Sequence, residues 1–124
     1  MWVSADVAEF RNRDASLYLR KMEINQISGD SVPLKVTGEY GVMDMDSHNV
    51  RITGDQGPVV VTMRDRYRME TSQLDWIDSR QEVRTDEMVY FSGPRIRIEG
   101  KGFAGDVANG EYEILQSVHA LLQE

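Results

Sequence analysis

Tyr67-Arg68-Met69-Glu70-Thr71-Ser72-Gln73-Leu74 is matched 29 residues further on by Ile96-Arg97-Ile98-Glu99-Gly100-Lys101-Gly102-Phe103. In both stretches apolar residues alternate with charged ones up to a small residue, Thr71 or Gly100, and an apolar residue follows three positions later. Alternation at period two gives an extended chain one apolar and one charged face, so each stretch predicts a half-buried strand. Nine residues past Leu74 and Phe103 stand Val83 and Tyr112, and two residues further Thr85 and Ile114. A shift of 33 residues toward the N-terminus carries Thr71 onto Gly38, with Leu34 and Val36 before it and Val50 and Ile52 after it. A second shift of 33 reaches Ala5, followed by Leu17 and Leu19. About four units of ~30 residues thus follow one plan: an apolar strand, a small residue, a kink, a turn and a return strand. Stacked units of this kind predict an all-β, elongated antiparallel structure with a row of apolar side chains along its interior.

Turn chemistry punctuates the units at Asn12-Arg13-Asp14, Ser28-Gly29-Asp30, Gly54 to Pro58, Asp78-Ser79-Arg80, Ser92-Gly93-Pro94 and Asn109-Gly110. Asn109-Gly110 is the strongest hairpin signal, because a type I′ turn needs positive φ at both central residues. From Glu111 to Gln123, Leu115, Val118, Leu121 and Leu122 fit a helical face, whereas Tyr112, Ile114 and Val118 fit a strand. The repeat decides for strand over Tyr112 to Val118.

With 124 residues the chain has room for one core, since domains usually run to ~100–200 residues. The absence of cysteine excludes disulfides, a thiolate nucleophile and cysteine-based metal sites. A net charge of −7, with Lys and Arg scattered and no basic block, argues against nucleic acid. No run approaches the ~18–20 apolar residues of a membrane helix, and Met1-Trp2-Val3-Ser4-Ala5-Asp6 lacks the parts of a secretion signal.

Candidate chemistry is thin. Gly100-Lys101-Gly102-Phe103-Ala104-Gly105 has the glycine spacing of a dinucleotide-binding loop, but a turn follows where that loop needs a helix. The glycines are read instead as letting a strand bend or pack closely. Asp44, Asp46 and His48 alternate and could share one face toward a metal, yet Asn49 and Asp55 stand where a calcium loop needs glycine and glutamate, so a polar turn is favoured. Asp75 and Asp78 flank Trp76 and are expected to cap the turn after it. His119 has no acidic neighbour to orient it. No nucleophile elbow or acidic pair stands out, so no catalytic residue, metal or cofactor is assigned.

The apolar supply says more. Leu17, Leu19, Val50, Ile52, Met69, Leu74, Trp76, Val83, Ile96, Ile98, Phe103, Tyr112 and Ile114 all fall on repeat positions expected to face one way. Seven methionines would let such an interior adapt to irregular alkyl chains. Pattern alone leaves two readings open, a lining or simply a core, and favours the core.

The run from Tyr67 to Trp76, then Val83 to Val89, then Gly93-Pro94 with Ile96, Ile98, Gly100, Gly102 and Phe103, together with Trp2 to Phe10, resembles the LptC family of lipopolysaccharide transport, which is related to the LptA/OstA-like repeat proteins. The likeness spans nearly the whole chain. It implies a single β-jellyroll domain over residues 1–124, open along one side like a taco, whose groove takes acyl chains on the thirteen residues above. It also implies a periplasmic place, receipt of lipid from inner-membrane transporter subunits of the LptF/LptG type, and delivery to an LptA-type protein. The docking edge for delivery would be the last strand, at Tyr112, Ile114, Leu115 and Val118. The family's N-terminal membrane helix is not in this sequence, which leaves two expectations, a trimmed domain or a protein without the anchor. The rival reading is a structural β-repeat adaptor that assembles edge to edge with no lipid inside.

Overall fold

A computed structural model describes residues 1–28 and 32–123. The expected turn at Ser28-Gly29-Asp30 lies largely outside them. Ten antiparallel strands follow in order: β1 (Trp2–Arg11), β2 (Ser16–Ser28), β3 (Val32–Asp44), β4 (Val50–Thr53), β5 (Val59–Met63), β6 (Tyr67–Thr71), β7 (Gln73–Ile77), β8 (Glu82–Gly93), β9 (Ile96–Asp106) and β10 (Glu111–Leu122), with a 3₁₀ turn at Asp78–Arg80. The C-terminal segment is strand, as the repeat requires.

Five of the six long strands, β2, β3, β8, β9 and β10, bend once. On β2 and β3 the pairing runs from Arg20 with Tyr40 to Met22 with Gly38, and Lys21 between them takes φ 51°. On β8 the register slips between Thr85 and Met88, and the Thr85 hydroxyl accepts the N–H of Glu87 at 3.1 Å. On β9 and β10 the bend falls at Gly102 (φ 82°) and Ser117 (φ 56°). Bending lets one strand serve two sheets. The C-terminal half of β3 pairs with β4, and its N-terminal half pairs with β5. Likewise β8 gives its first half to β7 and its second to β6. Hydrogen bonding therefore closes a ring, β3-β4-β7-β8-β6-β5, flattened into two facing sheets. We call sheet I the one holding β4 and β7, and sheet II the one holding β5 and β6. The β1-β2 pair extends both sheets beyond β3, and the β9-β10 hairpin extends both beyond β8. This is an antiparallel β-jellyroll.

The small residue of each unit sits at its bend. A Cβ on Gly38 would run into Ile52, and one on Gly100 would run into Ile114. Thr71 is buried in the same place and donates its hydroxyl to the Met88 carbonyl at 2.9 Å. On the inner side of a bend two backbones close on one another, and a larger side chain has nowhere to go.

The core lies between the sheets. Val50, Ile52, Leu74 and Trp76 from sheet I meet Val59, Val61, Met63 and Met69 from sheet II. Their charged alternates face out: Arg51 pairs with Asp75 across the strands at 2.9 Å, and Arg68 with Glu70 at 2.7 Å. Exposed pairs of this kind stabilise little, ~0–1 kcal/mol, against roughly 1.5–3 kcal/mol for each large side chain buried.

Turn types correct the sequence reading at one point. Of Asn109 and Gly110, only Gly110 takes positive φ. The Asp106 carboxylate accepts the Asn109 backbone N–H at 3.2 Å and its side-chain amide at 2.7 Å, which builds a longer loop from Val107 to Gly110. The turn with two consecutive positive φ values is Arg64-Asp65, at 56° and 55°, where no asparagine or glycine marks it.

Candidate functional site

Of the thirteen interior positions read from the repeat, Leu19, Val50, Ile52, Met69, Leu74, Trp76 and Val83 are sealed inside the ring or beside it. The two sheets interdigitate there and leave no open channel. Trp76 is anchored by its indole N–H, which donates to Asp78 at 3.1 Å. Leu17 and Ile96 are half-buried. The remaining four, Ile98, Phe103, Tyr112 and Ile114, converge on an open apolar groove of about 900 Å³ between the sheets at the β9-β10 end, where Phe103 is itself almost fully buried at the base and the other three are half-buried.

Each wall of this groove carries a stacked aromatic pair. On the sheet II side Tyr67 and Phe91 lie 5.8 Å apart with planes 17° from parallel. On the sheet I side Phe103 and Tyr112 lie 5.9 Å apart at 13°. Stacking holds the rings as flat walls and adds to their burial. Met63, Val107 and Val118 complete the apolar lining, with Arg64, Asn109 and Glu113 at its rim. Burial, and then the charge of Asp106, push the Tyr112 phenol up from its ordinary range.

The groove is open because of what borders it. Toward the ring, the turn after β7 closes the space between the sheets. Gln26 of β2 donates its amide to Gln81 at 3.1 Å, and the Gln81 carbonyl accepts the Val107 N–H at 2.9 Å. Away from the ring, β10 has no neighbouring strand beyond it among the described residues. Glycines on β9 bring β10 close: a Cβ at Gly105 would strike Tyr112 and Val83. The string Gly100 to Gly105 therefore lies within β9, bending it and admitting neighbours.

Four apolar groove residues, Met63, Tyr67, Phe91 and Val107, are not among the expected site positions. Tyr67 shares the inward parity of Met69, and Met63 that of Val59 and Val61, a signal present in the sequence. Phe91 gives the same signal, because it keeps the parity of Val83, Thr85 and Val89 although the register against β9 slips between Thr85 and Met88.

The other candidates resolve as structure. Asp44 accepts the N–H groups of Asp46 at 2.8 Å and Ser47 at 3.0 Å, bonds that hold its carboxyl below the usual range, and so it fastens the turn that leads to β4. Among the described residues no three acidic or imidazole groups converge as a metal would require. Asp75 and Asp78 do not cap the 3₁₀ turn: Asp75 faces Arg51, and Asp78 faces the Trp76 indole. His119 is exposed on β10.

Among the described residues, strands β1 and β10 each pair on one side only. On β10, Tyr112 and Ile114 turn into the groove, while Leu115, Val118, Leu121 and Leu122 are exposed. On β1, Trp2, Val7 and Phe10 are exposed.

Residues 2–123 match the family model described as "Lipopolysaccharide-assembly, LptC-related". No curated protein matches the sequence. Among solved structures the fold is similar to that of LptH, the LptA-homologous periplasmic component of the lipopolysaccharide transport device of Pseudomonas aeruginosa. The TM-score is 0.69 at 14% identity, over 99% of this chain and 94% of that one.

Proposed function

The chain belongs to the LptC-related lipopolysaccharide-assembly family, and from that premise we propose that it binds lipopolysaccharide without enzymatic chemistry and passes it along a periplasmic bridge. Acyl chains enter the groove between the aromatic pairs and contact Ile98, Phe103, Tyr112 and Ile114. The sealed row, Leu19, Val50, Ile52, Met69, Leu74, Trp76 and Val83, holds the two walls at a fixed separation. Lipid arrives from an inner-membrane transporter of the LptF/LptG type and leaves to an LptA-type protein that adds its own strand to the free edge of β10.

The observation that carries this reading is the position of the groove: the open apolar space lies beside the free edge of β10, so a strand added there would continue both its walls. Burying alkyl chain at roughly 0.8 kcal/mol per methylene supplies enough affinity without a nucleotide or a covalent step. Photo-crosslinking tests it. A photoreactive residue at Ile98 or Tyr112 is expected to capture lipopolysaccharide, and one at Trp76 is not. No capture at either groove position overturns the reading. The filled interior of the ring favours one alternative, an adaptor that joins neighbours edge to edge with no lipid inside, and that outcome would support it.

A further inference from the structure

Arginines about 30 residues apart in the sequence come to the same end of the β6-β8 pairing, where one of them lines the groove. Arg64 lines the groove from the turn between β5 and β6. The Arg66 guanidinium stands 5.9 Å over the ring of Tyr67, itself part of the wall. The pairing of Arg68 with Ser92 runs β6 alongside β8, which brings Arg66 level with Pro94 and places Arg95 at the tip of the adjoining turn. All three side chains are exposed, and among the described residues none has a carboxylate within ion-pair distance. The chain as a whole is acidic, so three unmatched cations along one lip are a local reversal of sign. Two acidic groups lie nearby. Asp65 acts on Lys35 of β3, and Glu113 lines the opposite wall. The rim is thus positive on the sheet II side and negative on the sheet I side.

Backbone conformation adds an independent observation. Arg64 and Arg95 both adopt positive φ, 56° and 62°. Glycine or asparagine would serve these turns with less strain. Arginines kept in a disfavoured conformation, at the lip of an open apolar groove, point to a use for their charge.

We propose that Arg64, Arg66 and Arg95 form a phosphate-binding lip, which grips the phosphorylated headgroup of an amphiphile whose acyl chains occupy the groove. The proposal rests on the lipid reading above and deepens it. A planar guanidinium donates two parallel hydrogen bonds to a phosphoryl group, which a lone ammonium cannot match. With acyl chains inside and phosphates on the sheet II lip, the lipid has one orientation and its glycan projects outward.

The test compares two ligands and two proteins in matched micelles: lipopolysaccharide and the same preparation stripped of phosphate, against the unaltered chain and a triple variant, Arg64→Asn, Arg66→Gln, Arg95→Asn. Asparagine tolerates positive φ, so the variant is expected to melt no lower than the parent, as circular dichroism will register. The expected result is a roughly tenfold or greater loss of affinity for the phosphorylated lipid, a shallower salt dependence, and unchanged affinity for the stripped lipid. Equal loss for both ligands, or no loss for either, overturns the phosphate lip. Inorganic pyrophosphate separates headgroup from free anion. It is expected to reduce binding of the phosphorylated lipid to the level of the stripped one and no further. If pyrophosphate binds while the phosphates of the lipid make no difference, the site belongs to a free anion and the proposal falls. If the unaltered protein binds neither lipid, the groove reading itself has failed, which is a distinct outcome.

Discussion

The closed ring and the β9-β10 end are written in the same repeat, yet one is solid and the other open. Ile52 and Met69 in the ring see essentially no solvent, whereas Ile114 and Ile98, at the equivalent places in later units, are half-buried. Residue type does not explain the difference. Units in the ring have hydrogen-bonded neighbours on both sides, and their side chains fill the space between the sheets. The last hairpin has a neighbour on one side only. In a stacked repeat the terminal unit carries an unfinished interior, and here that interior is the groove.

The largest way to break this contrast is truncation of a side chain. Trp76→Ala or Leu74→Ala in the ring is expected to cost about 3–5 kcal/mol or to prevent folding, measured by urea denaturation. Ile98→Ala in the groove should cost ~1 kcal/mol or less, because a half-exposed chain loses little burial, while capture of lipid falls. Equal losses at the two sites would mean that the end of the molecule is as well packed as the ring.

Proline at the edge comes next. The N–H groups of Ile114 and Leu115 point to opposite sides of β10, so one substitution removes a donor to β9 and the other a donor from the free edge. One variant should lose thermal stability. The other should keep its melting temperature and lose at least about tenfold in affinity for an LptA-type partner, if strand addition is the mode of docking. Retained association by both folded variants would count against β10 as the docking edge.

The small residues offer a finer comparison. Gly38→Ala forces a methyl against Ile52 inside the ring, where nothing can move, and should cost ~1–3 kcal/mol. Gly100→Ala presses on Ile114 beside an unpaired edge, which can yield, so a smaller loss is expected.

Why the ring was legible and the groove was not follows from these differences. Period-two alternation and a 33-, 33- and 29-residue spacing are local signals, and they located the strands, the bends and the fourth-unit identity of β10. Phe91 was assignable in the same way, since it keeps the parity of Val83, Thr85 and Val89, whereas the slip in register between Thr85 and Met88 leaves no mark on composition. Turn residues misled where a carboxylate competed: Asp106 rebuilt the loop that Asn109-Gly110 seemed to specify, and Arg64-Asp65 formed the turn that its residue types disfavour. The lip itself joins positions about 30 residues apart, which only the pairing of β6 with β8 brings together.

The finest test is pH, and the two regions should respond at opposite ends of the scale. Glu39, at the bend of β3, accepts the N–H groups of Gly57, Asp55 and Gln56 and so has its carboxyl pushed below the ordinary glutamate range. A lowered folded-state value means that its stabilisation is present above the unfolded value and is lost as pH falls through the folded one. In the groove Tyr112 is shifted the other way, by burial first and by Asp106 second. Its contribution is therefore complete below the unfolded phenol value and is lost as pH rises through the folded one. Glu39→Gln should flatten only the acid limb of a melting-temperature profile, and Tyr112→Phe only the alkaline limb. Lipid in the groove buries the phenol further, so ultraviolet titration of Tyr112 should move upward on loading, while the Glu39 carboxyl, followed by NMR, should not move. A shift at both sites would mean that ring and groove are coupled, and a shift at neither would place the acyl chains elsewhere.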